Sequence, residues 1–349
     1  MPEGTKRRAN KAGLHPSDEG IPVVGTKITA TEIGPYPEPI SACLPSTGRG
    51  MGWLPDRPDF RDYHEAHEEI QNILEADDRS IHIPPDTKYY VPPSRRIPAS
   101  SLPPSMDLRE YCSPVEDQGM LGSCTAHAGV GLIEYYERRA FGRHLDASRL
   151  FLYKVTRNLM KLRGDTGAYL RTTMGAMVLF GVPPESYWPY TDDQNSFDRE
   201  PPAFCYAFAQ NFQTIKYFRH DPAGAEPDAV LHSLKSYLAN GFPFIFGFSV
   251  YSSIEQAEAD GRIPFPSSRE RLEGGHAVMA VGYDDKLEIV NKINKQKTKG
   301  ALLIRNSWGA SWGEHGYGWL PYDYVLRGLA EDFWTILKKE WVDTGAFAE

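Results

Sequence analysis

The chain has 349 residues, a hydrophobic content of 41% and a formal net charge of −8 at pH 7. This length is enough for one large core or two lobes. The acidic balance argues against partners that select basic patches, namely nucleic acid and anionic membrane surfaces. The longest apolar stretch, residues 241–251, is about half a bilayer span, so no transmembrane helix is expected. The basic start lacks an apolar region behind it, which predicts a cytoplasmic protein or one exported without a Sec-type signal peptide.

The first 104 residues differ in composition from the rest of the chain. Residues 1–57 are rich in Gly, Pro, Ser and Thr without periodicity, which predicts a loosely ordered arm. Within residues 58–80, Ile70, Ile73 and Leu74 have the spacing of a short amphipathic helix. Residues 81–104 are rich in proline, which forbids helix and favours extended chain. We therefore treat residues 1–104 as an N-terminal extension and residues 105–349 as the main domain.

Helical patterns come first in the main domain and strand patterns follow. Ser123 is a candidate N-cap for a helix from Cys124 to Ala140, with Gly142 as its stop. Further helices are predicted over 148–161, 168–180 and 228–239, and strands over 244–250, 277–283, 301–306 and 316–320. A helical half followed by a strand-rich half indicates the α+β class.

Three segments supply an amide, a thiol, an imidazole and a second amide in chain order. Gln118 and Cys124 lie in Gln-Gly-Met-Leu-Gly-Ser-Cys, and His276 lies in Gly-Gly-His-Ala-Val. Asn306 begins Asn-Ser-Trp-Gly-Ala-Ser-Trp-Gly. This set is the inventory of a hydrolase with a cysteine nucleophile.

Residues 103–337, with these three segments, resemble the papain family of cysteine peptidases. Trp188-Pro189-Tyr190 resembles the family's aromatic-Pro-Tyr element. The resemblance implies a two-lobed fold, with a helical lobe at about 105–215, a strand-rich, barrel-like lobe at about 216–337, and a cleft between them. It also implies hydrolysis of peptide bonds in a polypeptide substrate.

The resemblance assigns a role to each residue of the set. Cys124, at a helix N-terminus, is expected to attack the scissile carbonyl, and His276 to protonate the leaving amine and then activate water. A resting thiolate–imidazolium pair is expected. Asn306 is expected to orient His276, and Gln118 to donate to the oxyanion beside the Cys124 backbone N–H. Trp308 is expected to shield the contact between Asn306 and His276 from water.

A substrate pocket is also expected on the resemblance. Gly167 is the candidate for cradling the substrate backbone, and Tyr169 supplies an aromatic side. Gly275 and Ala277 are expected to line the walls with little bulk. Glu331 is expected at the floor, where it would accept Arg or Lys as well as apolar groups. The alternative is that Glu331 is a solvated turn residue before a strand.

Cysteine and histidine usage gives no sign of a metal or another cofactor. Leu121 stands where secreted relatives usually carry a disulfide cysteine, which suggests a reducing compartment. Cys43, Cys112 and Cys205 are expected to be buried packing residues, although one pair could form a bridge. No Cys/His cluster has zinc spacing, so neither a metal nor a cofactor is expected.

Residues 1–104 admit two interpretations. As a prosegment, residues 58–80 would dock on the domain and residues 84–104 would run along the cleft, so that cleavage near Arg95-Arg96 or Ala99-Ser100 would release activity. As a plain extension, they would be a solvated linker.

Four functions remain open. The complete residue set favours a cysteine endopeptidase. A papain-fold exopeptidase is less favoured, because no paired-histidine insertion blocks one end of the cleft. An acyl transferase or deamidase would use the same thioester chemistry. A silent peptide-binding module would need none of the four residues.

Overall fold

The computed structural model describes residues 48–68, 70–71, 102–212 and 214–339. Its longest helix, α1 (Cys124–Phe141), begins at the candidate nucleophile. It ends at Gly142, which adopts φ 71° and donates its N–H to the Arg138 carbonyl. Ser123 precedes the helix but does not cap it through its side chain. Its hydroxyl lies 2.7 Å from the Tyr190 hydroxyl instead, which corrects the predicted cap.

The other predicted helices are present with small shifts at their ends. In the second, the Ser148 hydroxyl accepts a hydrogen bond from the Phe151 N–H at 3.1 Å, which supplies the N-cap. Two short helices escaped prediction because each has fewer than eight residues, too few to show helical periodicity. The helices after α1 are α2 (Arg149–Leu159), α3 (Leu170–Leu179), α4 (Ala203–Ala209), α5 (Pro227–Ala239) and α6 (Tyr322–Leu326).

The strands form one large sheet and one small one. Two short parallel strands, β1 (Trp53–Leu54) and β3 (Ala168–Tyr169), make the small sheet. The large sheet has the order β4-β9-β5-β6-β7-β8, with β2 paired to β6, and all its pairs are antiparallel. Its strands are β2 (Ser105–Asp107), β4 (Thr214–Arg219), β5 (Phe244–Tyr251), β6 (Leu272–Val290), β7 (Lys297–Arg305), β8 (Tyr317–Pro321) and β9 (Ala330–Lys339).

The predicted α+β class is confirmed by this arrangement of helices and antiparallel sheet. One apolar core runs from α1 to the sheet, and fully buried residues such as Val130 on α1 and Val281 on β6 belong to it. The first residue of α1 thereby lies against β6, because the Ala277 N–H of β6 points at the Cys124 sulfur at 3.3 Å.

The N-terminal extension is better ordered near residue 50 than its composition suggested. Residues 48–57 pack on the main domain, and Trp53 is buried in the core, so the prediction of a loosely ordered arm over 1–57 needs correcting there. Trp53 and Leu54 pair in register with Ala168 and Tyr169. The Arg171 guanidinium then holds the following segment through the carboxylates of Asp56 and Asp62.

Part of the predicted helix at 58–80 is described. Glu68, Ile70 and Gln71 are helical, whereas residues 72–80 lie outside the described residues. Ile70 is fully buried in an apolar cluster with Phe218, Tyr237 and Phe242. Residues 84–101 of the proline-rich stretch also lie outside the described residues.

Candidate active site

Cys124 is the first residue of α1 and is fully buried. Its sulfur accepts the Ala277 N–H and a further backbone N–H from Gly52 of the N-terminal segment. The unpaired N–H groups and the positive dipole end of a helix N-terminus favour a thiolate over a thiol. The helix therefore presents the sulfur at the boundary between the helical part and the sheet.

His276 on β6 is held by Asn306 and Trp308. Its Nε2 lies 2.8 Å from Asn306 Oδ1, and its ring stacks on the Trp308 indole with centroids 4.5 Å apart and planes at 24°. Asn306 Oδ1 also accepts the Ser307 N–H at 2.8 Å, which fixes the orientation of the amide. Because this oxygen only accepts, Nε2 must carry the hydrogen. His276 Nδ1, which has no hydrogen-bond partner, is then the nitrogen free to exchange a proton.

Gln118 is fully buried and its amide is fixed on both sides. Its Oε1 accepts from the Ser307 hydroxyl at 2.5 Å, and its Nε2 donates to the Leu121 carbonyl at 2.7 Å. The same Nε2 donates at 3.0 Å to the carbonyl of Gly50. The Gly50 carbonyl thus accepts a hydrogen bond from the Gln118 amide, which was expected to donate to the oxyanion.

The segment Gly50–Leu54 occupies the cleft. The Gly50 carbonyl also accepts the Trp308 indole N–H at 3.3 Å, and the Gly52 carbonyl accepts the Ala168 N–H at 2.7 Å. A Cβ at Gly50 would collide with the Leu121 carbonyl, and one at Gly52 with the Gly122 carbonyl. Only glycine permits so close an approach of two backbones.

The part of the extension seen in the cleft is therefore Gly50–Leu54, whereas residues 84–101, which were expected to run along the cleft, lie outside the described residues. The described chain resumes at residue 102, and Pro103 and Pro104 lead into β2. Their carbonyls accept the Tyr283 hydroxyl at 2.8 Å and the Asp285 N–H at 2.9 Å.

The side chain that fills the pocket is Trp53. Its ring lies on the backbone of Gly247 and Gly275, where added Cβ atoms would collide with it. Its indole N–H donates to Asp332 Oδ2 at 3.1 Å. The pocket therefore has glycine walls and a carboxylate that reaches its occupant.

The remaining candidates for substrate binding surround the same segment. Gly167 is buried with φ 73° and lies against Gly52. Tyr169 pairs with Leu54, and Ala277 meets the Cys124 sulfur. Glu331 pairs opposite Gly247 and is half-buried, and its place at the pocket floor stays a prediction.

Asp332, the neighbour of Glu331, is fully buried and adopts φ 66°. Besides Trp53 it meets the Trp334 indole N–H at 2.7 Å and the Arg219 guanidinium at 3.1 Å. Burial raises the pKa of Asp332 to about 7, although Arg219 and the two indoles oppose this rise. Arg219 is itself fully buried and also pairs with Asp221 at 3.0 Å, so the carboxylate does not stand alone.

Burial disfavours the charged form of both members of the catalytic pair in this occupied cleft. Burial raises the pKa of the Cys124 thiol to about 11, and burial lowers the pKa of His276 to about 4. This differs from the expected thiolate–imidazolium pair, because the cleft segment excludes the water that would solvate two charges. The charged pair remains the expectation for an open cleft.

Four residues at the site were not identified from the sequence. Gly50, Gly52 and Trp53 lie in Arg-Gly-Met-Gly-Trp, where two glycines alternate in front of a large aromatic residue. That alternation is a signal for an extended segment in close backbone contact. Asp332 carries no local signal, because its role depends on a partner far away in the chain.

The described residues contain no group of three or more His, Cys, Asp or Glu side chains placed to hold a metal ion. Cys112, Cys124 and Cys205 are free and buried. None of the helices in the described part of the chain is long and apolar enough to cross a membrane.

Comparisons with known proteins agree with this geometry. Residues 102–331 match the model of the papain family cysteine proteases. The chain is 36% identical over 226 residues to a peptidase C1-like protein of Acanthamoeba polyphaga mimivirus, covering 63% of this chain and 68% of that protein. It is 28% identical over 244 residues to cathepsin K of Mus musculus, covering 66% of each. The structure of xylellain, a cysteine protease from Xylella fastidiosa, matches with a TM-score of 0.61 at 34% identity, covering 84% of this chain and 97% of that one.

Proposed function

This chain belongs to the papain family and is a cysteine peptidase, and we propose that it is an endopeptidase made as an autoinhibited zymogen. The observation that carries the proposal is the path of Gly50–Leu54 through the cleft. Gly50 meets the Gln118 amide, Gly52 meets the Cys124 sulfur, and Trp53 fills the pocket. A substrate would need these same contacts.

The direction of this segment explains why it inhibits and is not cut. In a substrate of this family, the pocket residue comes two positions before the scissile bond. Here the pocket residue Trp53 comes after Gly50, whose carbonyl meets the oxyanion donor Gln118. The segment also pairs parallel to β3. The segment therefore runs through the cleft in the direction opposite to that of a cleavable substrate. Its peptide bonds face Cys124 in the reverse orientation.

Contacts at three places along the chain anchor the inhibitory segment. Trp53 is bound through its indole N–H, Asp56 and Asp62 pair with Arg171, and Ile70 is buried beside Phe218. All three belong to one covalent segment, so each raises the effective concentration of the others. Proteolysis near Arg95-Arg96 or Ala99-Ser100 would make the inhibitor a separate fragment that can dissociate.

Endopeptidase action is supported by the shape of the occupied cleft. The segment runs through the whole cleft. Arg49 leaves it at one end, next to Trp308, and Leu54 leaves it at the other end, past the pocket, where it pairs with Tyr169. Arg49 donates to the Trp308 carbonyl at 2.9 Å and pairs with Glu258 at 3.0 Å. A cleft that takes a continuous chain at both ends suits internal cleavage.

Once the cleft is open, the chain's own residues provide each step. The Cys124 thiolate attacks the scissile carbonyl, and Gln118 Nε2 and the Cys124 N–H stabilise the oxyanion. His276 gives its proton to the leaving amine. The amine departs, and the acyl group remains on Cys124 as a thioester. His276 then takes a proton from water as the water oxygen attacks the thioester, which releases the acid product and regenerates the Cys124 thiolate beside the protonated His276. Asn306 keeps His276 in the required orientation.

The test compares the intact chain with a chain cleaved in the 95–100 region and separated from the released fragment. The substrate is an internal peptide blocked at both termini, and Cys124→Ala is the control for contaminating peptidases. We expect much faster internal cleavage by the processed chain. Equal turnover by both forms would refute autoinhibition, and turnover only of substrates with a free terminus would refute endopeptidase action.

A further inference from the structure

One carboxylate ties the nucleophile loop to the substrate-binding backbone. Asp165 accepts the Gly122 N–H at 2.9 Å with Oδ1 and at 3.2 Å with Oδ2. The Tyr153 hydroxyl donates to Asp165 Oδ1 at 2.6 Å and accepts the Gly167 N–H at 3.1 Å. Gly122 lies two residues before Cys124. Gly167 precedes Ala168, whose N–H donates to the Gly52 carbonyl in the cleft. The two sides of the cleft floor therefore share one anchor.

Asp165 is itself held in place by residues of α2. Tyr153 on α2 is fully buried, and the Arg157 guanidinium lies 4.0 Å from its ring centroid. Arg157 donates to the Gly164 carbonyl and pairs with Asp198 at 2.8 Å. Asp198 in turn accepts the Gly164 N–H at 2.8 Å. The loop that carries Asp165 is thus attached to α2 through charge-assisted hydrogen bonds, which are shorter and stronger than neutral ones.

The nucleophile loop needs such an anchor in this chain. The three residues before Cys124 are Leu121, Gly122 and Ser123, none of which has a thiol, and Cys124 itself is free, so no disulfide holds this loop. The Asp165 carboxylate binds the backbone amide of Gly122. A hydrogen-bonded carboxylate has no redox chemistry, so this tie holds in a reducing compartment where a disulfide would not.

We propose that Asp165 is a positioning residue for the peptidase reaction. It fixes the separation between the Gly122–Cys124 turn, which carries the nucleophile and an oxyanion N–H, and the Gly167–Ala168 backbone, which holds the substrate. Displacement of reacting groups by about 1 Å can cost about 100-fold in rate. The inference depends on the peptidase activity and not on autoinhibition.

The charge of Asp165 gives this role a distinct signature. Burial is the largest cause that raises the pKa of the Cys124 thiol, and the Asp165 carboxylate raises it further, because a nearby negative charge disfavours the thiolate. A residue that only supported the loop would leave the titration of Cys124 unchanged. Asp165→Asn retains an oxygen that can accept from Gly122 and Tyr153 but removes the charge, so it separates the two effects.

The experiment uses the full chain carrying Trp53→Ala as the parent, so that the cleft is accessible. Four variants are compared with it: Asp165→Ala, Asp165→Asn, Tyr153→Phe and the control Asp228→Asn. Asp228 is an exposed carboxylate in the first turn of α5. For each, kcat and KM are measured on a blocked peptide. The pH dependence of Cys124 alkylation by iodoacetamide is followed by mass spectrometry of the peptide that contains it.

We expect Asp165→Ala to lower kcat/KM about tenfold or more, since hydrogen bonds to charged groups contribute about 1.5–3 kcal/mol. Asp165→Asn should recover most of this loss, and both variants should shift the alkylation midpoint to lower pH. Tyr153→Phe should raise KM more than it lowers kcat, because Gly167 loses its acceptor. Asp228→Asn should match the parent in every measurement.

Unchanged kcat/KM in Asp165→Ala would overturn the proposal. So would equal impairment of both Asp165 variants with an unmoved alkylation midpoint, since that result describes a loss of folding alone. If Asp165→Ala does not fold, the other two variants decide. A parent-like midpoint in Asp165→Asn, or a parent-like KM in Tyr153→Phe, then overturns it. Because every comparison is with the same parent, failure of autoinhibition would show separately, as equal activity of wild type and Trp53→Ala.

Discussion

The indole N–H of Trp53 donates to the carboxylate of Asp332 at 3.1 Å, across a sequence separation of 279 residues. Trp53 belongs to the N-terminal extension and Asp332 to β9, the strand that closes the pocket. Under the proposed autoinhibition, this one contact joins the inhibitory segment to the proposed substrate pocket. The same carboxylate would then serve both autoinhibition and substrate preference.

Removing the Trp53 side chain should activate the intact protein. Truncating a buried Trp to Ala lowers stability by about 3–5 kcal/mol. Here the loss destabilises the closed form of the cleft relative to the open form, because Trp53 is buried only when the cleft is closed. We expect Trp53→Ala to raise the peptidase activity of the full-length chain at least about tenfold. The matched control is Phe60→Ala, because Phe60 is on the same segment but 95% exposed. Similar activation by both variants, or by neither, would contradict a specific role for Trp53.

Asp332 should set the preference for the side chain two residues before the scissile bond. A guanidinium in this pocket would form a charge-assisted hydrogen bond with the carboxylate. Asp332→Asn should therefore lower the ratio of kcat/KM for Arg over Leu peptides about tenfold in the Trp53→Ala chain. Asn suits this position because it tolerates the positive φ of 66°.

Glu331→Ala is the partner experiment, because Glu331 was the sequence-based candidate for the pocket floor. We expect an unchanged Arg-to-Leu ratio in this variant. A ratio that falls in Glu331→Ala and not in Asp332→Asn would restore Glu331 to the floor and remove Asp332 from it.

Acid should open the cleft in a Trp53-containing chain with Cys124→Ala and Asp332→Asn, in which His276 titrates without the thiol and without the buried carboxylate. Burial lowers the pKa of His276 to about 4 in the closed form, against about 6.5 for a free histidine. Between these values the open form of this variant binds more protons, so closure is fully favoured above about pH 6.5 and is weakened as the pH falls towards 4. Hydrogen exchange of the peptide containing residues 50–54, corrected for intrinsic rates, should be faster at pH 5 than at pH 7.5 in this variant. Equal protection at both values would contradict this.

The catalytic set should respond in a graded way. In the Trp53→Ala chain, Cys124→Ala should abolish peptide hydrolysis and His276→Ala should nearly do so, because each removes a reacting group. Asn306→Ala should leave a reduced activity, since it removes only the orientation of His276. Gln118→Ala should lower kcat by about 100-fold, the usual effect of losing one oxyanion donor. Rates near that of the parent in Cys124→Ala would contradict the thioester mechanism.

The sequence by itself determined the chemistry and the fold class. Cys124, His276 and Asn306 are recognisable because each lies in a short local motif with characteristic glycine or tryptophan neighbours. The long helices were predictable from periodicity, because α1 needs 18 residues of consistent pattern to cross the core. The short α4 was not, because seven residues show no such period.

Only the tertiary structure decided what occupies the cleft and which carboxylate reaches the pocket. Composition placed Gly50 and Trp53 in a loosely ordered arm, since glycine-rich segments bury little apolar surface of their own. Their order comes instead from surfaces supplied by Gln118 and Gly275, far away in the chain. The choice between Glu331 and Asp332 likewise depends on the irregular pairing of β9 with β5, where the register shifts and Asp332 adopts φ 66°. Neighbouring residues on a strand face opposite sides, so an error of one position reverses the assignment.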